Sequence, residues 1–236
     1  YEFDIEKYKQ TSMGIVLKRR DNADIVKHVY GGIIDIIMKE KDLEKSIRFC
    51  KQALNELLAG KFPLEMLVIT KSLKGYYKNP DQIAHKVLAD RMGLRDPGNK
   101  PQSNDRIAYA YIDLNVGRNA SVLQGDKIEN PEYIREHNLK LDYKFYITNQ
   151  IMKPVCQIYA LAVTELNGYT KPRNYFDKKY KSLLEKNLGD TDKTKRKIDE
   201  LKIKEIEEIV FSDALRKATN KKNNAREITD FFKCGS

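Results

Sequence analysis

Between residues 42 and 60 the chain carries a full helix signature, and this stretch fixes its fold class more firmly than any other. Asp42 stands at an N-cap position, and Leu43, Ile47, Cys50, Leu54, Leu57 and Leu58 recur at three- and four-residue steps. Gly60 follows where a helix C-terminus turns away. Several further segments share this grammar. The apolar run Ile25, Val29, Ile33, Ile34, Ile36 and Ile37 predicts a buried helix over 24–38 despite Gly31-Gly32. Asn79-Pro80 predicts a helix start carrying Ile83, Val87, Leu88 and Met92 inward and stopping at Gly93. Asn130-Pro131 opens a short helix, and residues 143–166 read as helical with Pro154 breaking or kinking the segment. A charged helix is expected over 193–218. Strand signals are few: a short buried strand at 64–70 and the alternating IAYAYIDL at 107–114. RDPGNKPQSND (95–105) has the composition of a loop. The expected fold class is therefore mainly α with short β segments, an α+β arrangement.

A chain of 236 residues is long enough to bury a substantial core. No apolar run approaches the roughly 18–20 residues of a membrane span, so no membrane partner is expected. YEFDIEKYKQ is neither a signal nor a transit peptide, and a chain opening on Tyr1 is expected to be a fragment. The net charge is +10, which points towards a polyanionic partner, since lysines and arginines displace counterions from phosphate backbones. Residues 167–236 hold 18 basic and 12 acidic side chains, so most of the excess lies there and binding in the body must rest on particular residues. Cys50, Cys156 and Cys234 lack the spacing of a zinc site or disulfide framework. Cys50 and Cys156 fall in apolar helical patterns, so core packing in a reducing, intracellular compartment is expected.

Four segments taken together carry a family likeness: MGIVLKRRDNADIV (13–26), LVITKSLKGYYKNPDQIAHKVLADRM (67–92), RDPGNKPQSNDRIAYAYI (95–112) and DYKFYITNQIMKPV (142–155). In this order and spacing the chain resembles the end of the palm and the thumb of family B DNA polymerases. The delta-type branch looks most similar, notably in KRRDN, HKVLADRM and YITNQ. The resemblance implies the end of the palm at 1–27, the thumb at 28–166 and a charged C-terminal tail at 167–236. It implies a DNA-directed DNA polymerase, a nucleotidyltransferase in its full-length form, whose thumb grips primer–template duplex by its backbone. It further implies a nuclear or viral replication site. The absence of the cysteine motifs of delta-type enzymes and the Lys/Asn/Ile-rich composition favour a viral source.

Under that resemblance the cations acquire roles. Lys18, Arg19 and Arg20 form a row suited to adjacent phosphates, although Asp21 can orient one arginine through a bidentate pair. Lys71 follows a buried strand, and Arg91, Arg95, Lys100 and Arg106 bracket the Gly/Pro loop. Tyr146, Asn149 and Gln150 are polar groups in an apolar helix pattern. Surface salt bridging is the plainer reading of Arg91 and Arg106, and core packing of Tyr146. With the resemblance, Arg19, Arg20, Lys71 and Arg106 become the favoured DNA contacts and the others further candidates.

The family's metal-binding aspartates come from a DxxSLYPS segment and a YGDTDS hairpin that precede the thumb, and this sequence begins after both. No catalytic residue, metal ligand or cofactor is therefore expected here, with Mg²⁺ belonging to the full-length polymerase. Gly189-Asp190-Thr191-Asp192 spells GDTD, but in a charged context where Thr191 or Asp192 capping the next helix explains it better. In AREITDFF (225–232), Ile228, Phe231 and Phe232 have the spacing of a sliding-clamp docking peptide, with Ala225 where that motif prefers glutamine. The alternative is a stand-alone basic DNA-binding or clamp-interaction module without enzymatic activity.

Overall fold

The computed structural model describes residues 16–19, 21–114 and 122–222. In chain order the elements are α1 (Asp24–Asp35), α2 (Leu43–Leu58), β1 (Ile69–Ser72), α3 (Ala84–Arg95), β2 (Arg106–Tyr111) and β3 (Ile128–Glu129). They continue with α4 (Pro131–Glu136), α5 (Tyr143–Phe145), α6 (Met152–Tyr159), α7 (Tyr175–Lys186), α8 (Thr191–Ile206) and α9 (Ser212–Lys222). The described residues are mainly helical with one antiparallel sheet of order β1–β2–β3. They group into two compact units, one from Tyr1–His28 and Ala59–Tyr146, the other from Val29–Leu58 and Ile147–Ser236. Compactness thus divides the chain at other places than the palm, thumb and tail assignment.

The first unit is built on the sheet. Register pairs Ile69 with Tyr109, Lys71 with Ile107 and Tyr111 with Ile128, so these six residues share one face. Tyr111 stacks on Phe145 at 3.3 Å between centroids and meets Tyr146 edge-on. The other face carries Thr70, Ser72, Arg106, Ala108, Ala110 and Glu129. Beneath Ala110, a small core gathers Ile112, Ile134, Leu64 and Leu141. Two expectations are corrected here. Residues 64–67 form a 3-10 turn entered from Pro63, and the strand begins only at Ile69, where β2 supplies partners for its backbone. Helix α3 runs past Gly93 to Arg95, because Gly93 is a packing position on which the stem of Lys100 lies. A Cβ there would come within 2.6 Å of Lys100 Cγ. Asn130 caps α4 as expected, its Oδ1 accepting from the Glu132 N–H at 2.8 Å.

In the second unit α2 is capped by Asp42, whose Oδ1 accepts from the Lys45 N–H at 2.7 Å, and it buries Ile47, Cys50, Leu54, Leu57 and Leu58. Gly32 lies within α1 where a Cβ would collide with the ring of Phe49, so the position calls for glycine despite its low helix propensity. Residues 146–151 form a π-helical turn directly before α6. The irregularity expected at Pro154 lies in this wider turn upstream, while Pro154, which has no N–H to give the ladder, sits as the third residue of α6. Helix α8 packs on α7 and α6, and α9 on α2. Phe176, Ile198, Ile206, Val210 and Phe211 join the core, so residues 175–222 are an integral part of this unit.

Candidate nucleic-acid interface

At the end of the β1–β2 pair where the chain leaves for α3, two cations stand on adjacent strands. Arg106 begins β2 opposite Ser72, and its guanidinium donates to Thr70 Oγ1 at 2.7 Å, to Thr70 O at 3.3 Å and to Ser72 Oγ at 3.3 Å. All three acceptors are neutral, so they aim the side chain without cancelling its charge. Lys71, also exposed, lies between Thr70 and Ser72 on the same strand and therefore projects from the opposite face of the sheet. The two cations bracket the hairpin end from both sides rather than forming one patch.

Lys71 shares its surroundings with the end of the basic row. Arg19 makes a bidentate pair with Asp21, Nε to Oδ1 at 3.0 Å and Nη2 to Oδ2 at 2.9 Å. Asp21 is held below the usual carboxylate range chiefly by those Arg19 hydrogen bonds, opposed by partial burial, with the charge of Lys71 contributing. Arg19 is thus the arginine that Asp21 orients. His85 is pushed down by burial and by the charges of Lys71 and Lys74, which favours a neutral imidazole. Its Nε2 lies 3.1 Å from the Tyr77 hydroxyl.

Arg91 and Arg95 are one turn apart on α3, and both reach a single buried carboxylate. Arg91 Nη1 donates to Glu129 Oε2 at 3.0 Å and Nη2 to the Gly125 carbonyl at 2.8 Å. Arg95 donates to both Glu129 oxygens at 3.1 and 2.9 Å, and its guanidinium lies 3.6 Å above the Tyr133 ring. The Glu129 side chain is 3% exposed. Burial alone would raise its carboxyl, but hydrogen bonds from Arg95, the Asn130 N–H and Arg91 outweigh this and hold it low. Through Glu129 these two arginines tie α3 to the sheet.

Tyr146 requires a correction. Its side chain is fully buried, its hydroxyl donates to the Leu67 carbonyl at 2.7 Å, and it accepts from the Tyr111 N–H at 2.9 Å. A phenol so enclosed is a core residue and cannot touch DNA. Lys100 is exposed, with its stem over Gly93. Asn149 and Gln150 belong to the π turn of the second unit, Asn149 exposed and Gln150 half-buried. Lys18 ends a short 3-10 turn. Arg20, Ile228, Phe231 and Phe232 lie outside the described residues. In the GDTD stretch the cap is Asp190, not Thr191 or Asp192: its Oδ1 accepts from the Lys193 N–H at 2.9 Å, and Gly189 takes φ +82°.

Sequence reasoning missed the residues that organise these cations. Thr70 and Ser72, which aim Arg106, look like ordinary strand residues until the register with β2 is known. Glu129 had one legible signal, since two arginines four residues apart on a helix face share whatever acceptor faces them. Among the described residues, no group of three or more His, Cys, Asp or Glu is placed to hold a metal ion. No helix among them is long and apolar enough to cross a membrane.

Known proteins place the chain in a family. The family model described as DNA polymerase family B matches residues 2–162. A DNA polymerase of Pyramimonas orientalis virus is 53% identical over 232 residues, covering 98% of this chain and 19% of that protein. The DNA polymerase delta catalytic subunit of Candida albicans is 37% identical over 155 residues, covering 65% of this chain and 14% of that protein. The solved family B DNA polymerase of the archaeon Pyrobaculum calidifontis is 19% identical with a TM-score of 0.47, covering 64% of this chain and 19% of that one. The chain thus spans about a fifth or less of the length of these relatives. With the family model covering most of its length, this chain belongs to the family B DNA polymerases.

Proposed function

We propose that this chain is the end of the palm (1–27), the thumb (28–166) and the C-terminal tail (167–236) of a replicative DNA-directed DNA polymerase, and that it grips primer–template duplex. The observation that carries this reading is the hairpin end. Lys71 and Arg106 are exposed on opposite faces of a hydrogen-bonded sheet, Arg106 is aimed by neutral acceptors, and Arg19 stands beside Asp21 within the field of Lys71. Cations fixed on a rigid element pair with phosphates at little ordering cost and carry no sequence preference, which suits a polymerase that must hold any duplex. The metal-binding aspartates and their Mg²⁺ belong, on this reading, to other parts of the polymerase. The enzyme would work in the nucleus or at a viral replication site. Residues 225–232, through Ile228, Phe231 and Phe232, would add a sliding-clamp contact that raises the local concentration of enzyme at the primer end.

The test compares the polymerase containing this chain with residues 1–236 alone. The polymerase should extend a primer with Mg²⁺ and deoxynucleotides. The isolated chain should bind duplex weakly, lose affinity steeply with salt, and extend nothing. Extension by the isolated chain, or binding indifferent to salt, refutes the reading.

A further inference from the structure

Loop 73–79, between β1 and α3, holds a feature that the duplex-gripping residues leave unexplained. Tyr76 is 81% exposed, the one aromatic among the large, strongly exposed apolar side chains of the described residues. Scattered exposed apolar residues are ordinary and a ring on a loose loop would carry no information. This loop is not loose. Leu73 is buried, its N–H donates to the Asp105 carbonyl at 2.8 Å, and its carbonyl accepts from the Asn104 N–H at 2.9 Å. The Lys74 N–H donates to the Tyr77 hydroxyl at 2.8 Å, and that hydroxyl is tied in turn to His85. Tyr77 and His85 also pack edge to face at 5.9 Å. The neighbouring tyrosine is thus spent on holding the loop, while Tyr76 is turned out to solvent.

Charge names the occupant. The stretch KSLKGYYKN (71–79) carries three lysines and no acidic residue. Lys74 and Lys78 stand two residues either side of Tyr76 in the sequence, both are exposed, and neither makes an ion pair with a described residue. An anchored loop that exposes an aromatic ring and, two residues to either side along the chain, two exposed lysines suits a sugar–phosphate strand, the ring against the sugar and the ammonium groups on phosphates. We propose that loop 73–79 is a further contact to duplex DNA, with Tyr76 packing against a deoxyribose of one strand and Lys74 and Lys78 pairing with its flanking phosphates. This rests on the duplex-gripping reading above and extends it to a residue that reads as surface in the sequence.

The experiment measures primer–template affinity of the polymerase containing this chain across a salt series. The variants are Tyr76→Ala, Tyr76→Phe, the pair Lys74→Ala with Lys78→Ala, and Arg106→Glu. Tyr76→Ala should weaken duplex binding about fivefold without changing the salt slope, the low end for an aromatic–nucleotide contact. Tyr76→Phe should keep most of the affinity. The double lysine variant should flatten the slope by about 1.8, from about 0.9 per phosphate contact. Unchanged duplex affinity in Tyr76→Ala overturns the proposal. So does a loss confined to unpaired template strand, which would make the loop a single-strand platform. A lowered melting temperature with affinity intact overturns it too, since the ring would then be packing against another part of the polymerase. Loss in Arg106→Glu with none in Tyr76→Ala sinks this loop alone, whereas no loss in Arg106→Glu sinks the wider reading.

Discussion

Replacing Glu129 by alanine should be among the most costly single changes in the sheet-bearing unit. Its carboxylate accepts four hydrogen bonds, one from Arg91, two from Arg95 and one from the Asn130 N–H. Removing one partner from a buried ion pair costs about 3–5 kcal/mol, because the remaining charge is left uncompensated. Here the arginine side chains are 26% and 34% exposed and can turn partly to water, and Arg91 keeps its bond to the Gly125 carbonyl. The loss should therefore sit near the low end, about 3 kcal/mol. With a urea dependence of about 2–3 kcal/mol per molar, that lowers the unfolding midpoint by about 1–1.5 M. Glu129→Gln, which keeps one acceptor oxygen and the shape, should lose less. The sign of the pH dependence follows from the direction of the shift. The carboxyl is held low in the folded state, so the unfolded chain binds more protons, and its stabilisation is complete above the ordinary glutamate range near about 4.3. It is lost as the pH falls through the folded value, so wild type and Glu129→Ala should converge in acid. Urea unfolding of the 236-residue chain at pH 7 and under increasingly acid conditions reads both effects. A shift below about 0.5 kcal/mol at pH 7 would show that α3 is held to the sheet without this carboxylate.

Other outcomes follow from the same geometry. Tyr146→Phe should destabilise the chain by about 2 kcal/mol, since it orphans the Leu67 carbonyl and the Tyr111 N–H in a dry core. Duplex affinity of the folded variant should not change, and a selective loss of affinity would restore Tyr146 as a DNA contact. Gly32→Ala should cost about 1–3 kcal/mol by overpacking against Phe49. Gly93→Ala, where only the flexible stem of Lys100 must move, should be near neutral in the same urea unfolding. Burial pushes the Cys50 and Cys156 thiols up to about 12. In a chain carrying Cys234→Ser, an aromatic disulfide reagent at pH 8 should therefore label neither until the protein unfolds, and rapid labelling of the native chain would contradict their burial.

The helical skeleton was legible wherever a local signal carried its own physics. Asp42, Asn130 and Gly60 each act on a single helix end, and all three do what their positions imply. Local signals mislead where a distant partner decides. Residues 64–70 are apolar apart from Glu65 and Thr70, and only the pairing with β2 separates a 3-10 turn at 64–67 from a strand at 69–72. Gly93 resembles a stop signal because the Lys100 stem that packs on it arrives from beyond the helix. The same division runs through the candidate interface. The Arg19–Asp21 pair spans two residues and is legible locally, whereas the capture of Arg91 and Arg95 depends on Glu129, more than thirty residues away. The motif around Tyr146 points towards DNA, and its two core hydrogen bonds, each more than thirty residues distant, are invisible in the local pattern.

The most direct test of the proposed grip is the salt dependence of primer–template binding by the polymerase containing this chain. Lys71→Ala and Arg106→Ala are made singly and together, with Arg91→Ala as the internal strut. If the hairpin end holds phosphates, each single variant should flatten the slope of log affinity against log salt by about 0.9, and the pair by about 1.8. Arg91→Ala should leave the slope intact and lower only the melting temperature. Unchanged slopes at Lys71 and Arg106, with flattening at Arg91, would place the duplex on the α3 face and contradict the assignment.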